Sequence, residues 1–294
     1  MSNIIDFRSG NLFDKVYEHL ALPKSTLLGT RITKRMILEN NDLSSSDKRL
    51  VNDVVQSVEW LNTLKAETLN IPTYITETIE YIEVAVLKVS LKIDQTNRGK
   101  LKSTAKLFHT LIPYPVILLL ELNEEIAISL ADKRINQADS SKLVIEHFYN
   151  SQWFDVAGLN SNEIEFLNDF TLKKVSSVNY YELYQNFISM LLALETSYIL
   201  GSYSTKSSRN NNISKNKLSS SQEDKVDNSD NSLFNEMSNE EKSNLLKELT
   251  SLEAELTNIK NKLKKEVQMN EKLHLNVQAR RVKQAISAII SQFV

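Results

Sequence analysis

A polar segment that interrupts an apolar run, within residues 131–156, combines side chains that often form charged binding surfaces. Two cations, one acid, two hydroxyls and an indole follow one another there: Lys133, Arg134, Asp139, Ser140, Ser141 and Trp153. Ammonium and guanidinium groups bind carboxylates and phosphates, so these residues form a candidate contact surface. They also suit a simple strand connection, because aspartate and serine side chains bond to nearby backbone N–H groups in turns. Trp153 fits core or rim packing as well as a stacking platform.

The chain lacks the residue patterns of common catalytic and cofactor sites. It has no cysteine and five glycines, which excludes thiolate chemistry and leaves little material for phosphate-binding loops. Restriction-type nucleases need an acid, then on the next strand a glutamate, one spacer and a lysine to hold Mg²⁺. Lys88 lies five positions after Glu83, and Glu125 has no lysine near it. The four histidines belong to unrelated segments: His19, His109, His147 and His274. We therefore predict no catalytic residue, no metal site and no cofactor.

Composition predicts a packed protein without a general attraction to anionic partners. Hydrophobic residues make up 41% and charged residues 24% of the 294 residues, with a formal net charge of -2. The most apolar run, residues 116–122, is far shorter than the ~20 residues that cross a bilayer. The amino terminus has early acids and no secretory signal. Abundant Asn, Ile, Lys and Ser are typical of an AT-rich bacterial genome, and we expect a soluble, cytoplasmic bacterial protein.

Proline, glycine and serine divide the chain into three predicted regions. All four prolines lie in the first half and no glycine follows Gly201, which predicts a globular domain over residues 1–200. Residues 201–236 are nearly all Ser, Asn, Lys and Asp, a composition that predicts a disordered linker. Residues 237–294 predict a long, coiled-coil-like helix.

The carboxy-terminal region carries a heptad seam that predicts helix pairing. Its apolar residues alternate steps of four and three before a polar interruption at Glu266 and Asn270, and then resume: Leu245, Leu249, Leu252, Leu256, Ile259, Leu263, Leu273 and Val277. Ser238 followed by Glu241 predicts a capping box at the start of the helix. A continuous helix over residues 238–291 would be roughly 80 Å long. A helical hairpin that folds back on the globular domain is the alternative.

The far half of this region is basic. Its cations predict either a solvated helix face or a phosphate-binding strip: Lys260, Lys262, Lys264, Lys265, Lys272, Arg280, Arg281 and Lys283.

The first 200 residues predict an α+β fold with a mixed, largely antiparallel sheet of about five strands flanked by helices. Helical spacing predicts helices over residues 12–20, 25–38, 101–111 and about 179–200. Ser44–Asp47 predicts the capped start of one more helix. Alternation and β-branched residues predict strands from about residue 54, over 80–93 and over 142–154. Two apolar runs joined by Asn123 and Glu124 predict a β-hairpin. The second half of the 80–93 strand is expected to be buried on both faces.

Several segments together resemble the bacterial family called domain of unknown function 4391. They are "LFDKVYEHL", "VEWLNTLKAETLNI", "IPYPVILLLEL", "ADSSKLVIEHFYNSQWF", "YELYQNFISMLL" and "KLKKEVQMNEKLHLNVQAR". The resemblance spans about residues 11–200 and 240–285, and its most specific part is Asp139–Lys142 with Phe148 and Trp153. Leu143 departs from it, because the family is expected to have an aromatic residue there.

The resemblance implies genes placed beside helicases and DNA methyltransferases in restriction-like or anti-phage defence clusters, with no assigned catalysis. Our leading hypothesis is a non-enzymatic adaptor that docks on such a helicase or methyltransferase, with a carboxy-terminal helix for partner binding or self-association. The alternative is a nucleic-acid-binding or nuclease subunit that uses Lys133, Arg134 and the basic helix. A chemotaxis-like signalling coiled coil is a weaker alternative, disfavoured by the short seam and the missing membrane span.

Overall fold

The computed structural model describes residues 12–39, 43–139, 143–203 and 237–293. The chain divides into two compact units, Met1–Leu194 and Glu195–Val294. The boundary falls within one helix, Tyr180–Leu200. Most of the predicted linker, residues 204–236, lies outside the described residues. No helix in the described ranges is both long and apolar enough to span a bilayer.

The first unit is built on a mixed sheet. Its strands are β1 (Leu27–Ile32), β2 (Val55–Lys65), β3 (Tyr74–Ile75), β4 (Glu80–Tyr81), β5 (Glu83–Leu91), β6 (Val116–Leu122), β7 (Glu125–Ile135), β8 (Leu143–Asn150) and β9 (Phe154–Asp155). The main sheet has the order β1-β2-β5-β6-β7-β8, and β9 pairs with the start of β7, which makes seven strands. β5 and β6 are parallel, and the other neighbours in this sheet are antiparallel. The predicted α+β class with a largely antiparallel sheet is confirmed.

Helices cover both faces of the sheet. They are α1 (Leu12–His19), α2 (Lys34–Leu38), α3 (Ser45–Asp53), α4 (Ala66–Leu69), α5 (Leu101–Leu111), α6 (Ser161–Asp169) and α7 (Tyr180–Leu200). Short 3₁₀ turns occupy Lys24–Thr26, Gln95–Lys100 and Leu172–Lys174. α5 forms the crossover that makes β5 and β6 parallel, because parallel neighbours need a long connection.

The central strands are buried on both faces, as predicted for β5. Ala85, Leu87 and Val89 pack with Phe108 of α5 in one apolar cluster. Val84, on the opposite face of the same strand, is also buried. Strands covered by helices on both sides carry near-continuous apolar runs, which explains the sequence of β5 and β6.

The predicted β-hairpin is confirmed between β6 and β7. Its turn places Asn123 at φ 57, a left-handed conformation that asparagine tolerates better than most residues. The predicted cap at Ser44 is also confirmed, since its side chain and that of Asp47 form a capping box.

The predicted helix over residues 25–38 is wrong. This segment forms a 3₁₀ turn, the edge strand β1 and the short helix α2. Gly29 has φ 60, which interrupts a right-handed helix, and β1 gains its hydrogen bonds from β2. Thr33 starts α2 by accepting a hydrogen bond from the Met36 N–H. Long-range strand pairing overrides the local helical spacing here.

The carboxy-terminal region forms two helices, α8 (Asn239–Lys265) and α9 (Met269–Phe293), which pack together. The single continuous helix is therefore corrected to a hairpin, within the second unit. The break falls at Glu266, one of the two polar residues that interrupt the seam. Glu266 is extended and accepts hydrogen bonds from the N–H groups of Val267 and Gln268, both at 2.8 Å. The predicted capping box of Ser238 and Glu241 is present at the start of α8.

Candidate interaction surface

Lys133 does not belong to a contact surface, which corrects the prediction for this residue. Its side chain is buried, with 3% exposed, and its ammonium group donates to the carbonyl oxygens of Ile112 at 2.6 Å and Tyr114 at 2.5 Å. These carbonyls directly follow α5, where a cation interacts favourably with the helix dipole. Burial lowers the pKa of Lys133 to about 7. Lys133 thus fixes the backbone between α5 and β6.

Two further polar residues, His109 and Ser129, lie on the Lys133 side of the sheet. His109 Nε2 is 2.9 Å from Ser129 Oγ, and both residues are buried. Burial and the positive charge of Lys133 lower the pKa of His109 well below its ordinary value. The histidine is therefore neutral at pH 7 and acts as a packed core residue.

Arg134, Asp139 and Trp153 are placed in three different local settings. Arg134 is partly exposed and forms an ion pair with Glu146 on the adjacent strand β8. Trp153 is partly buried against the core, and its Nε1 donates to the Arg98 carbonyl oxygen at 3.0 Å. Asp139 is half-buried at the end of a described segment, and Ser140 and Ser141 lie outside the described residues. Trp153 therefore acts in packing, whereas Arg134 and Asp139 remain candidate contact residues. For Ser140 and Ser141 the contact surface stays a prediction.

A half-buried carboxylate on β7, absent from the predicted site residues, ties α7 to the sheet. Asp132 accepts hydrogen bonds from Tyr149 Oη and Gln185 Nε2, both at 2.6 Å, and from Tyr81 Oη at 3.5 Å. Burial raises the pKa of Asp132, and the hydrogen bonds partly offset that increase. All of these partners come from distant segments, so no local sequence pattern signals the cluster.

Tyr184 of α7 connects the same helix to the strands through its hydroxyl. Tyr184 Oη accepts from the Ala131 N–H at 3.0 Å and donates to the Val116 carbonyl oxygen at 2.8 Å. The hydroxyl thus satisfies buried backbone groups at the end of the β6–β7 ladder, where an unpaired group is costly.

The acids considered for a nuclease site form ordinary ion pairs. Glu83 lies 3.4 Å from Lys65, and Glu125 lies 2.9 Å from Arg98. Lys88 is paired with Glu121 of β6 at 3.2 Å. Within the described ranges, no group of three histidine, aspartate or glutamate residues is arranged to hold a metal ion.

The first part of the heptad seam, which lies on α8, packs against α9 within the hairpin. Leu249 packs in one apolar cluster with Ile289 and Phe293 of α9, and Leu245 and Leu252 pack against that cluster. Ile259 is also buried and lines one groove with Val282 of α9. Leu256 and Leu263 are half-buried. The seam of α8 is thus covered by α9 of the same chain.

Leu273 and Val277 do not continue this seam. They are 67% and 46% exposed, and Met269, one turn earlier, is 81% exposed. A spacing of four residues places the three side chains in one row along α9. This row, which we call the outer stripe, faces away from the side that carries Val282 and Ile289. Val267, in the hairpin turn, is 87% exposed beside it.

Positive charge surrounds the outer stripe. Residues 257–284 contain eight lysine and arginine residues and two glutamates, whereas the whole chain has 35 basic and 37 acidic residues. Arg280, Arg281 and Lys283 are exposed on α9. The turn end of the hairpin is therefore basic, and the remainder of the chain is acidic.

Comparison with known proteins gives a family match. Neither the curated proteins nor the solved structures include a match to this chain. One family model, described as a domain of unknown function (DUF4391), matches residues 20–244. This match begins directly after α1, covers the strands of the sheet unit and ends shortly after the start of α8. The chain belongs to the DUF4391 family.

Proposed function

We propose that this protein is a non-enzymatic adaptor that docks on a partner protein through the outer stripe of α9. The single observation that supports docking is the row of Met269, Leu273 and Val277, which are apolar, exposed and regularly spaced. Exposed apolar rows with polar surroundings are typical of protein interaction sites. By family resemblance, the expected partner is a helicase or DNA methyltransferase of a restriction-like or anti-phage defence system.

Co-purification with the helicase and DNA methyltransferase that the family resemblance predicts to be encoded beside the gene tests this function. We expect the tagged chain to retain one of these proteins, and the double variant Leu273→Ser, Val277→Ser to lose it. Ile93→Ser is the matched control, because Ile93 is 77% exposed in the sheet unit. Circular dichroism should show unchanged helix content in both variants. A chain that remains a solitary monomer with both neighbours would contradict the adaptor function.

Nucleic-acid binding is the second candidate, and the excess of basic residues at the turn end supports it. Lys133 no longer contributes, because it is buried. Mobility shift of duplex DNA at two salt concentrations tests this candidate, since phosphate contacts weaken steeply with salt. The absence of a shift at low salt would remove it.

A further inference from the structure

The outer stripe combines apolar contact area with a rim of one charge sign, and both features constrain what can bind there. Met269 and Val277 are eight residues apart, so the stripe is about 12 Å long at 1.5 Å per residue. This length corresponds to about two helical turns of a partner. A spacing of four residues is the spacing at which one helix packs along another. The shape of the stripe therefore fits a helix lying along α9.

Basic residues lie along both sides of the stripe. With 3.6 residues per turn, Arg280 follows Val277 on the same side of α9, and Arg281 lies next to it. Lys272 and Lys283 lie on the other flank. Arg280, Arg281 and Lys283 are exposed and Lys272 is half-buried, so their charges are available to a bound partner.

This charge pattern argues against symmetric pairing of two copies through the stripe. In a two-fold dimer the same patch meets itself. Two outer stripes would then bring the arginines and lysines of both copies together, and like charges across an interface repel each other. A partner with acids at its rim would gain favourable contacts at the same positions.

We propose that the outer stripe binds an acidic amphipathic helix of a partner protein, which packs along α9 as a third helix of the hairpin. The apolar face of that helix covers Met269, Leu273 and Val277, and its glutamate or aspartate residues pair with Arg280, Arg281 and Lys272. This inference rests on the proposed adaptor function and specifies the partner surface that the adaptor recognises. Basic rims with apolar centres select such partners by attraction and reject basic helices by repulsion.

Two synthetic amphipathic helices with the same leucine stripe test the inference, one flanked by glutamates and the other by lysines. Fluorescence anisotropy with the full chain should show binding of the glutamate peptide at least about tenfold tighter than binding of the lysine peptide. Leu273→Ser should weaken the glutamate peptide by at least about tenfold, and Ile93→Ser should leave it unchanged. The double variant Arg280→Glu, Arg281→Glu should reverse the preference between the two peptides. Circular dichroism of each variant verifies that α9 is folded.

Equal binding of the two peptides, or no binding of either, would overturn the inference. The inference would also be overturned if the chain bound anionic phosphatidylglycerol vesicles or duplex DNA through the outer stripe but did not bind the glutamate peptide. The basic rim would then bind a lipid surface or a nucleic acid. The experiments distinguish a failure of this inference from a failure of the adaptor function. If the neighbouring protein still co-purifies in a Leu273-dependent way and the arginine reversal has no effect on it, docking stands and the acidic helix does not.

Discussion

Lys133 shows how a buried cation can serve a structural purpose in this fold. Its ammonium group is held by the two backbone carbonyls that follow α5, one before Pro113 and one before Pro115. A proline cannot donate a backbone hydrogen bond, so a segment with two prolines leaves few local N–H partners for its carbonyls. Lys133 supplies the missing donors at the cost of burying a charge.

The lowered pKa of Lys133 predicts a specific dependence of stability on pH. The pKa is about 7 in the folded state and near the ordinary 10.5 in the unfolded state, so the unfolded chain binds more protons between these values. The free energy of unfolding should therefore rise with pH across this window, by up to about 1.4 kcal/mol per pH unit from this group. Urea unfolding of the wild type and Lys133→Met at several pH values measures the difference, and the variant should lack this contribution.

Lys102→Met is the matched control for that experiment. Lys102 is an exposed lysine on α5, so Lys102→Met makes the same chemical change at the protein surface. Identical pH profiles for the wild type and Lys133→Met would show that the ammonium group is solvated in the native protein.

The placement of Lys133 and Arg134 follows from strand geometry. The predicted contact surface put both residues on the same side of the sheet. Successive side chains of a strand point to opposite faces, so two adjacent cations near the end of a strand face different surroundings. One side chain lies against the end of α5, and the other reaches Glu146 across β8. Which of the two side chains is buried depends on the face of the sheet that α5 covers. The residues around 133 and 134 do not encode that choice. The Asp132 cluster was not predictable for the same reason.

At the scale of elements, the features set by local chemistry were predictable. The capping boxes at Ser44 and Ser238 were predictable because a serine and an acid three residues later satisfy each other's backbone N–H groups. The β6–β7 hairpin was predictable from two apolar runs around Asn123. β1 was not predictable, since its hydrogen bonds come from β2, about thirty residues later in the chain.

The hairpin of α8 and α9 illustrates how a seam interruption becomes a turn. The polar residues Glu266 and Asn270 would occupy core positions of a continuous paired helix, which disfavours pairing at that point. In the hairpin, the Glu266 carboxylate instead accepts hydrogen bonds from the backbone N–H groups of Val267 and Gln268, the two residues that precede Met269 at the start of α9. The same glutamate that breaks the seam therefore stabilises the turn.

Distance measurement between two introduced cysteines distinguishes the hairpin from a continuous helix. Ser251 follows Leu249 by two positions and Ser287 precedes Ile289 by two, so the hairpin brings the exposed serines together across the α8–α9 contact. Because the chain has no native cysteine, spin labels attach only at the two new sites. Pulsed electron resonance should give a distance below about 25 Å, since packed helices are separated by 8–10 Å. A continuous helix would give about 54 Å.

A label pair at Ser251 and Lys265 calibrates this measurement. Both positions lie within α8, so either arrangement predicts about 21 Å between the backbones. A distance near 54 Å for the first pair with an unchanged control would contradict the hairpin.

At the scale of the whole molecule, the chain has two units with separate apolar clusters. The sheet unit is built around Val89, Leu118 and Phe108, and the second unit around Leu249, Ile289 and Phe293. The charge is also unevenly distributed, because the turn end of the hairpin is basic although the chain as a whole is slightly acidic. Separate clusters predict that each unit has its own contribution to stability.

The positions of the tryptophans allow this independence to be tested. Both Trp60 and Trp153 lie in the sheet unit, so their fluorescence reports that unit, whereas far-ultraviolet circular dichroism reports all helices, including α8 and α9. Leu249→Ala removes a side chain that is 2% exposed and should destabilise the hairpin by about 2–5 kcal/mol. We expect the urea transition seen by circular dichroism to begin at lower urea, with the fluorescence midpoint unchanged. Leu118→Ala, in the core of the sheet unit, should instead shift the fluorescence midpoint. If Leu249→Ala moves both signals together, the two units unfold as one cooperative structure.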